Sequence, residues 1–359
     1  MRFRKQMSLL LLCATASLLG GCGIGTTVPA AGTTYTGAVL QGKLYGGQQP
    51  IAGARVYLLA AGVGGYGGAS VSLLNAAVTG NADSVGAYVL TGPTGSFTIS
   101  GDYTCTGGSQ VYLYALGGNP GTGTNSAAAT MALLGGCPAG GKFTNIPLVT
   151  MNEVSTVAAA YAVAGYATDA LHISSSGTPL AKTGIANAFA NATNLVDLGL
   201  GTSLATTPGG NGTVPQTEIN TLADILASCV NTSNTSTGAA SASCSALFAL
   251  ATSDGTSTGT QPAETATAAI NIAHHPALNV SALYAMNGGT TSPFQPILAV
   301  PPNDWTVRLA FSSGYGGTND EQGHRLAVDG SGNIWAVEPY CQAAMTAPQV
   351  YTCVASSQI

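Results

Sequence analysis

The run Thr150-Met151-Asn152-Glu153-Val154-Ser155-Thr156-Val157-Ala158-Ala159-Ala160-Tyr161-Ala162-Val163-Ala164 divides the chain, because the spacing of apolar residues changes there. Before it they alternate, as in strands. From it onward Val154, Val157, Tyr161 and Ala164 recur at helical spacing. Thr150 and Glu153 fit a capping box, in which hydroxyl and carboxylate each satisfy an orphan N–H group at the helix start. The expected fold class is therefore multidomain α+β: a β-sandwich, then an all-α helical segment, then further β-structure.

From 36 to 149 the β-signals come in short pieces. Residues 37–45 alternate and end in a Gly-Gly turn. Residues 54–59, 87–90, 96–99 and 110–115 are further β-branched or aromatic runs, separated by Gly, Asn and Pro. Such spacing predicts an antiparallel sandwich over 36–149. Within it, Gly42-Lys43-Leu44, then Pro50-Ile51-Ala52-Gly53-Ala54-Arg55-Val56, then Thr94-Gly95-Ser96-Phe97-Thr98-Ile99 resembles a carboxypeptidase-regulatory-like (transthyretin-like) sandwich. The Gly/Ala/Ser insert at 60–86 departs from that family and reads as a surface loop or a weak extra hairpin.

The Ala-rich segment 150–300 is expected to be helical. A second helix is expected over 179–198, opened by Pro179, with Ile185, Phe189, Ala192 and Val196 on one face. A third starts near Thr213 and buries Ile219, Leu222, Leu226 and Cys229. Others are expected over 242–252, 262–275 and 280–286. Small side chains let such helices pack closely but bury little area each, so the bundle leans on its neighbours and on a disulfide.

From Pro301 the pattern turns β again, with a strand expected over 303–311. Arg325-Leu326-Ala327-Val328-Asp329-Gly330-Ser331-Gly332-Asn333-Ile334-Trp335-Ala336-Val337 then resembles an NHL-type β-propeller blade. Asp329, Gly330, Gly332, Asn333 and Trp335 carry that resemblance, which implies two strands joined by a tight turn. It covers one partial blade, whereas a closed propeller takes about four to eight. After Val337, Glu338-Pro339-Tyr340-Cys341 departs from the family. Residues 301–359 are then either the start of a longer propeller or a short β-appendix closed by Cys341 and Cys353.

Three of the nine basic residues, Arg2, Arg4 and Lys5, precede the apolar run 9–14, which has the form of a secretory signal. The run is shorter than the ~20 apolar residues that span a bilayer. It ends in Leu19-Gly20-Gly21-Cys22, which resembles the bacterial lipobox. The resemblance implies a signal peptide over 1–21 and a diacylglycerol thioether on Cys22. Residues 22–35 would be a flexible tether, and the membrane a partner through the lipid. Gly23 stands where the usual inner-membrane retention signal has Asp, so an outer-membrane location is expected in the bacterial envelope, facing periplasm or cell surface. A soluble secreted chain cleaved nearby is the other reading. Together the lipobox, sandwich, Ala-rich segment and blade resemble large bacterial surface lipoproteins with NHL repeats.

With Cys13 and Cys22 set aside, six cysteines remain, an even number in an exported chain. Their grouping favours local disulfides: Cys105–Cys137, Cys229–Cys244 and Cys341–Cys353. Spacing and neighbours give no zinc-type ligand set.

Only 6% of residues are charged, 9 Lys+Arg against 14 Asp+Glu, where about 25% is usual. Six basic residues would remain after signal cleavage, for a net charge of −8. Nucleic-acid binding needs cations to replace phosphate counterions, and is excluded on that ground. No catalytic constellation emerges, and no metal or cofactor is expected. His274-His275 precedes Pro276 at a helix end, where the rings can cap carbonyls. The Gly-rich stretch 62–68 lacks a following Gly-Lys-Ser/Thr and reads as a flexible loop. Asp83, Asp102 and Asp329 are isolated acids.

The function expected is a non-catalytic, membrane-anchored surface lipoprotein that binds protein or glycan. The alternative is the N-terminal fragment of a lactonase- or lyase-like propeller enzyme whose catalytic blades are missing from this chain. Cys22→Ala is expected to move the protein from the membrane to the soluble fraction; unchanged fractionation refutes acylation.

Overall fold

A computed structural model describes residues 33–101, 103–141, 143, 148–311, 325–328, 334–337, 339–343 and 351–355. Cys22 and the expected signal peptide lie outside them. β1 (Thr34–Thr36) pairs with residues 104–106, so paired backbone begins within the segment expected to be tether. β2 (Leu40–Gly46) buries alternate residues from Leu40 to Gly46, because side chains alternate across a pleat. β3 (Gln49–Pro50) returns beside it, and β4 (Arg55–Ala60) is buried from Val56 onward. The insert 60–86 adds β5 (Val71–Ser72), paired to β4, and the short helix α1 (Ala76–Thr79). β6 (Val89–Leu90), β7 (Ser96–Ile99), β8 (Thr104–Thr106), β9 (Gln110–Leu116), β10 (Ala129–Gly136) and β11 (Val149–Met151) follow.

Two sheets result. One runs β10-β9-β4-β5, with β6 also on β4; the other runs β11-β2-β3, with β7 also on β2. β11 runs parallel to β2, with Thr150 opposite Lys43. β4, β9 and β10 are buried along nearly their whole length, which requires cover on both faces.

Helices supply part of that cover. α2 (Glu153–Val163) is buried around nearly all its circumference and packs on β10. A 3-10 turn, β12 (Ala167–Asp169) and β13 (His172–Ile173) lead to α3 (Pro179–Ala192). β14 (Val196–Asp197), β15 (Thr202–Ser203) and β16 (Gly212–Thr213) precede α4 (Gln216–Val230), α5 (Ala242–Leu250), α6 (Thr265–His274) and α7 (Val280–Tyr284). The architecture is mixed α+β, and one hydrophobic cluster runs from Leu40 in the sheets through Phe189 and Ile225 to Trp305.

The edge of β10 decides how the helices sit. An edge strand leaves alternate N–H and C=O groups unpaired. Here helix hydroxyls take the place of a neighbouring strand. Thr265 Oγ1 accepts from Ala129 N at 2.8 Å and donates to Ala129 O at 2.6 Å. Two residues on, Thr156 Oγ1 accepts from Met131 N at 3.0 Å and Ser155 Oγ donates to Met131 O at 2.8 Å. All three hydroxyl residues are buried.

Several expectations need correction. The capping box is not Thr150 with Glu153. Pairing with β2 keeps the chain extended through Met151, so Asn152 becomes the cap. Its side chain accepts from Ser155 N and its N–H donates to Ser155 Oγ, each at 3.0 Å. The helix expected over 179–198 ends at Ala192, because Val196 and Asp197 pair with Ser203 and Thr202. The strand expected over 303–311 is reduced to β17 (Ala310–Phe311), paired with β16. Trp305 is instead a fully buried plug, its backbone N–H donating to Pro276 O at 2.9 Å while its indole Nε1 has no partner.

Two of the expected disulfides are present, Cys105–Cys137 and Cys229–Cys244, the latter tying α4 to α5. β18 (Arg325–Val328) pairs with β19 (Ile334–Val337), setting Trp335 opposite Ala327, while Asp329, Gly330, Gly332 and Asn333 lie outside the described residues. β20 (Pro339–Ala343) pairs with β21 (Tyr351–Ala355), and Cys341 stands opposite Cys353. Among the described residues these ladders are separate two-stranded sheets that close no propeller.

Thr265→Val keeps the side-chain shape but strips both partners from Ala129. The expected cost is about 2 kcal/mol or more, since buried N–H and C=O groups are left unpaired. Chemical denaturation checks it; a loss under about 0.5 kcal/mol, the usual scale of a surface change, contradicts the role given to the hydroxyl.

Candidate ligand cleft

A cleft of about 490 Å³ opens where the outer face of β2, the end of β11, the first turns of α2 and α4, the β14–β15 turn and residues 293–295 meet. Period-two spacing puts Lys43 and Tyr45 on the same face of β2, turned outward into the cleft. Thr150 stands beside Lys43, and its hydroxyl donates to Gly199 O at 2.9 Å.

Side-chain amides hold the opposite wall. Asn152 Nδ2 donates to Gly201 O at 2.7 Å. Gly201 needs to be glycine: its φ is +70°, and a Cβ there would lie 2.5 Å from Thr150 Cγ2. On α4, Gln216 Nε2 donates to Ser203 O at 2.8 Å, and Asn220 joins Ser203 Oγ to Pro296 O. Gln48 Nε2 reaches across to Pro293 O at 3.2 Å. The exposed Leu200 forms part of the rim.

Two buried carboxyls fasten the lips from behind. Both oxygens of Glu153 accept from Gly47 N at 2.9 Å, joining the β2–β3 turn to the first residue of α2. Gly47 makes that approach with φ +57°. Asp224 Oδ1 accepts from Phe294 N at 3.1 Å, while its Oδ2 is buried without a partner. Burial pushes the Glu153 carboxyl up to about 8, against the pull of the Gly47 N–H and with a further push from Asp224. Burial likewise raises Asp224 to about 7. Neither carboxylate lines the cleft, so they position its lips rather than meet a ligand.

The residues singled out by sequence are scattered elsewhere. His274 Nε2 donates to Ala164 O at 2.8 Å and His275 Nε2 to Ser253 O at 3.0 Å. Both rings therefore bond carbonyls of other segments, not those ending their own helix. Asp83 accepts from Arg55 at 2.7 Å and from the Tyr57 hydroxyl at 2.6 Å, while Asp102 and Asp329 lie outside the described residues. The Gly-rich stretch 62–68 is pinned rather than free: Gly62 N donates to Ile173 O and Gly65 N to Ser175 O, each at 2.8 Å. Among the described residues no group of three His, Cys, Asp or Glu could hold a metal ion.

In the sequence Lys43 has only a strand position and Gln216 and Asn220 only helical ones, with nothing local that marks them as cleft residues. A signal that could have found the site is the placing of Glu153 and Asp224, acids embedded in apolar helical runs, a context that predicts special partners.

Four carboxyls have raised values: Glu153 at about 8, and Glu218, Asp224 and Glu264 at about 7, all mainly through burial. A raised acid binds its proton more tightly in the folded state, so its contribution is complete below the unfolded carboxylate value, about 4. That contribution is lost as pH rises through the folded value. Stability is therefore expected to fall from pH ~5 to pH ~8.5, with Glu153 alone accounting for on the order of 3–5 kcal/mol. Calorimetric melting across that range should show a falling Tm, flattened in Glu153→Gln. A Tm that rises with pH contradicts the buried-acid account.

No protein-family model, curated protein or solved structure matches the chain, so the functional reading rests on the chemistry of this cleft.

Proposed function

We propose that this chain is a non-catalytic cell-surface lipoprotein, anchored through Cys22 in a bacterial outer membrane, that binds a protein or glycan in the cleft beside β2. In this reading the two sheets form a carboxypeptidase-regulatory-like sandwich, and residues 301–359 begin an NHL-type blade. The supporting observation is the composition of the cleft. Its walls combine amides, hydroxyls and one ammonium with the Tyr45 and Phe294 rings and the apolar Leu148, Val154, Leu200 and Pro293, and the buried Glu153 and Asp224 carboxyls are engaged by backbone N–H groups. General acid–base work needs titratable groups within reach of the reacting atoms. Recognition by shape and neutral hydrogen bonds needs only what these walls present.

Glycan and matrix-protein arrays probed with the full chain test the reading. A discrete set of ligands is expected, with signal reduced several-fold by Tyr45→Ala, since loss of a contacting aromatic ring costs about 1 kcal/mol or more. Ligands whose signal is untouched by Tyr45→Ala, or chemical conversion of a bound ligand, overturn it.

A further inference from the structure

The cleft carries a single charged side chain. Lys43 is exposed on the outer face of β2, and among the described residues it makes no ion pair. No Asp or Glu lines the cleft. The first turns of α2 and α4 reach the lining through Asn152, Val154 and Gln216, while the first-turn acids Glu153 and Glu218 stay out of it. Behind the lips, Glu153 stands uncharged at neutral pH and Asp224 partly so. The one formal charge in the lining is therefore positive, and the nearest rim carboxylate, Asp197, is turned to the backbone N–H groups of Gly199 and Leu200.

The shape favours an extended ligand. A second cleft of about 630 Å³, lined by Tyr284, Asn287 and the Gly288-Gly289 turn, shares Gln295 as a wall with the first. Its lining is neutral throughout. A peptide would normally enter such a place by adding a strand to a free sheet edge. Here the outer edge of β11 is occupied, because Thr150 N donates to Leu198 O at 2.7 Å. What the walls offer instead is three partly exposed rings, Tyr45, Phe294 and Tyr284, together with hydroxyls and amides, which match the faces and hydroxyls of sugar rings.

We propose that the paired clefts bind a carboxylate-bearing glycan, with the Lys43 ammonium pairing a uronate carboxylate and the neutral groups around Gln295 holding the adjoining sugars. The proposal rests on the binding role above and names its ligand class. A carboxylate–ammonium contact is charge-assisted, directional and sensitive to salt, which makes it separable from neutral sugar recognition.

The test is titration calorimetry of the full chain with polygalacturonate, with its methyl-esterified counterpart and with poly-glutamate, at about 50 and about 500 mM NaCl. Polygalacturonate is expected to bind, more weakly at the higher salt. Lys43→Gln should weaken it about tenfold and Lys43→Arg should retain it, at unchanged Tm. The esterified polymer should bind the wild type no better than polygalacturonate binds Lys43→Gln. Equal affinity for both polysaccharides, or no effect of Lys43→Gln, overturns the uronate assignment. So does binding of poly-glutamate alone. A neutral array glycan that binds in a Tyr45-dependent way while polygalacturonate does not leaves the binding role standing and removes this ligand class. Absence of any array ligand removes both.

Discussion

The unpaired edge of β10 governs where the helices can sit. Ala129 and Met131 are buried and turn N–H and C=O groups outward at the end of the sheet, where among the described residues no further strand pairs. Ser155, Thr156 and Thr265 answer those groups with hydroxyls. A hydroxyl can donate and accept at once, so it substitutes for a strand while its own helix continues undisturbed. The consequence is geometric. α2 and α6 are held against the sheet at fixed heights, and α3 and α4 then pack around α2.

That placement builds the cleft. With α2 fixed on β10, its first residue, Glu153, lies under the β2–β3 turn and grips Gly47. α4, packed on α2, brings Asp224 under Phe294 and sets Gln216 and Asn220 against Ser203. The acids are spent on backbone amides and kept largely neutral by burial, while the single lining cation is left to solvent. The low charge of the chain is therefore an arrangement as well as a scarcity: negative charge is withdrawn from the concavity and positive charge is left exposed in it.

Much of the fold was legible in sequence where the signal is local. Alternation at 37–45 and 96–99 located β2 and β7, and helical spacing located α4, whose Ile219, Leu222, Leu226 and Cys229 are all buried. Local grouping of cysteines found Cys105–Cys137 and Cys229–Cys244. β10 was not seen, because Ala-Thr-Met-Ala-Leu-Leu-Gly-Gly is buried on both faces and carries no alternation to read. The capping box was misplaced by two residues, because a parallel pairing with β2, more than a hundred residues back, holds Thr150 in a strand. Trp305 sits in a run with a strand-like pattern, but its backbone partner is Pro276 rather than a neighbouring strand.

Local sequence carries the α+β class, the order of the main strands and helices, two disulfides and a composition poor in charge. These follow from residue type and from spacing within a dozen or so positions, which fix periodicity, turns and local cross-links. The closing of the β10 edge by helix hydroxyls, the burial of Glu153 and Asp224 behind two lips and the solitary Lys43 in the cleft come from tertiary packing. Each joins residues distant along the chain, and burial rather than residue type sets whether a carboxyl is charged and a lysine unpaired.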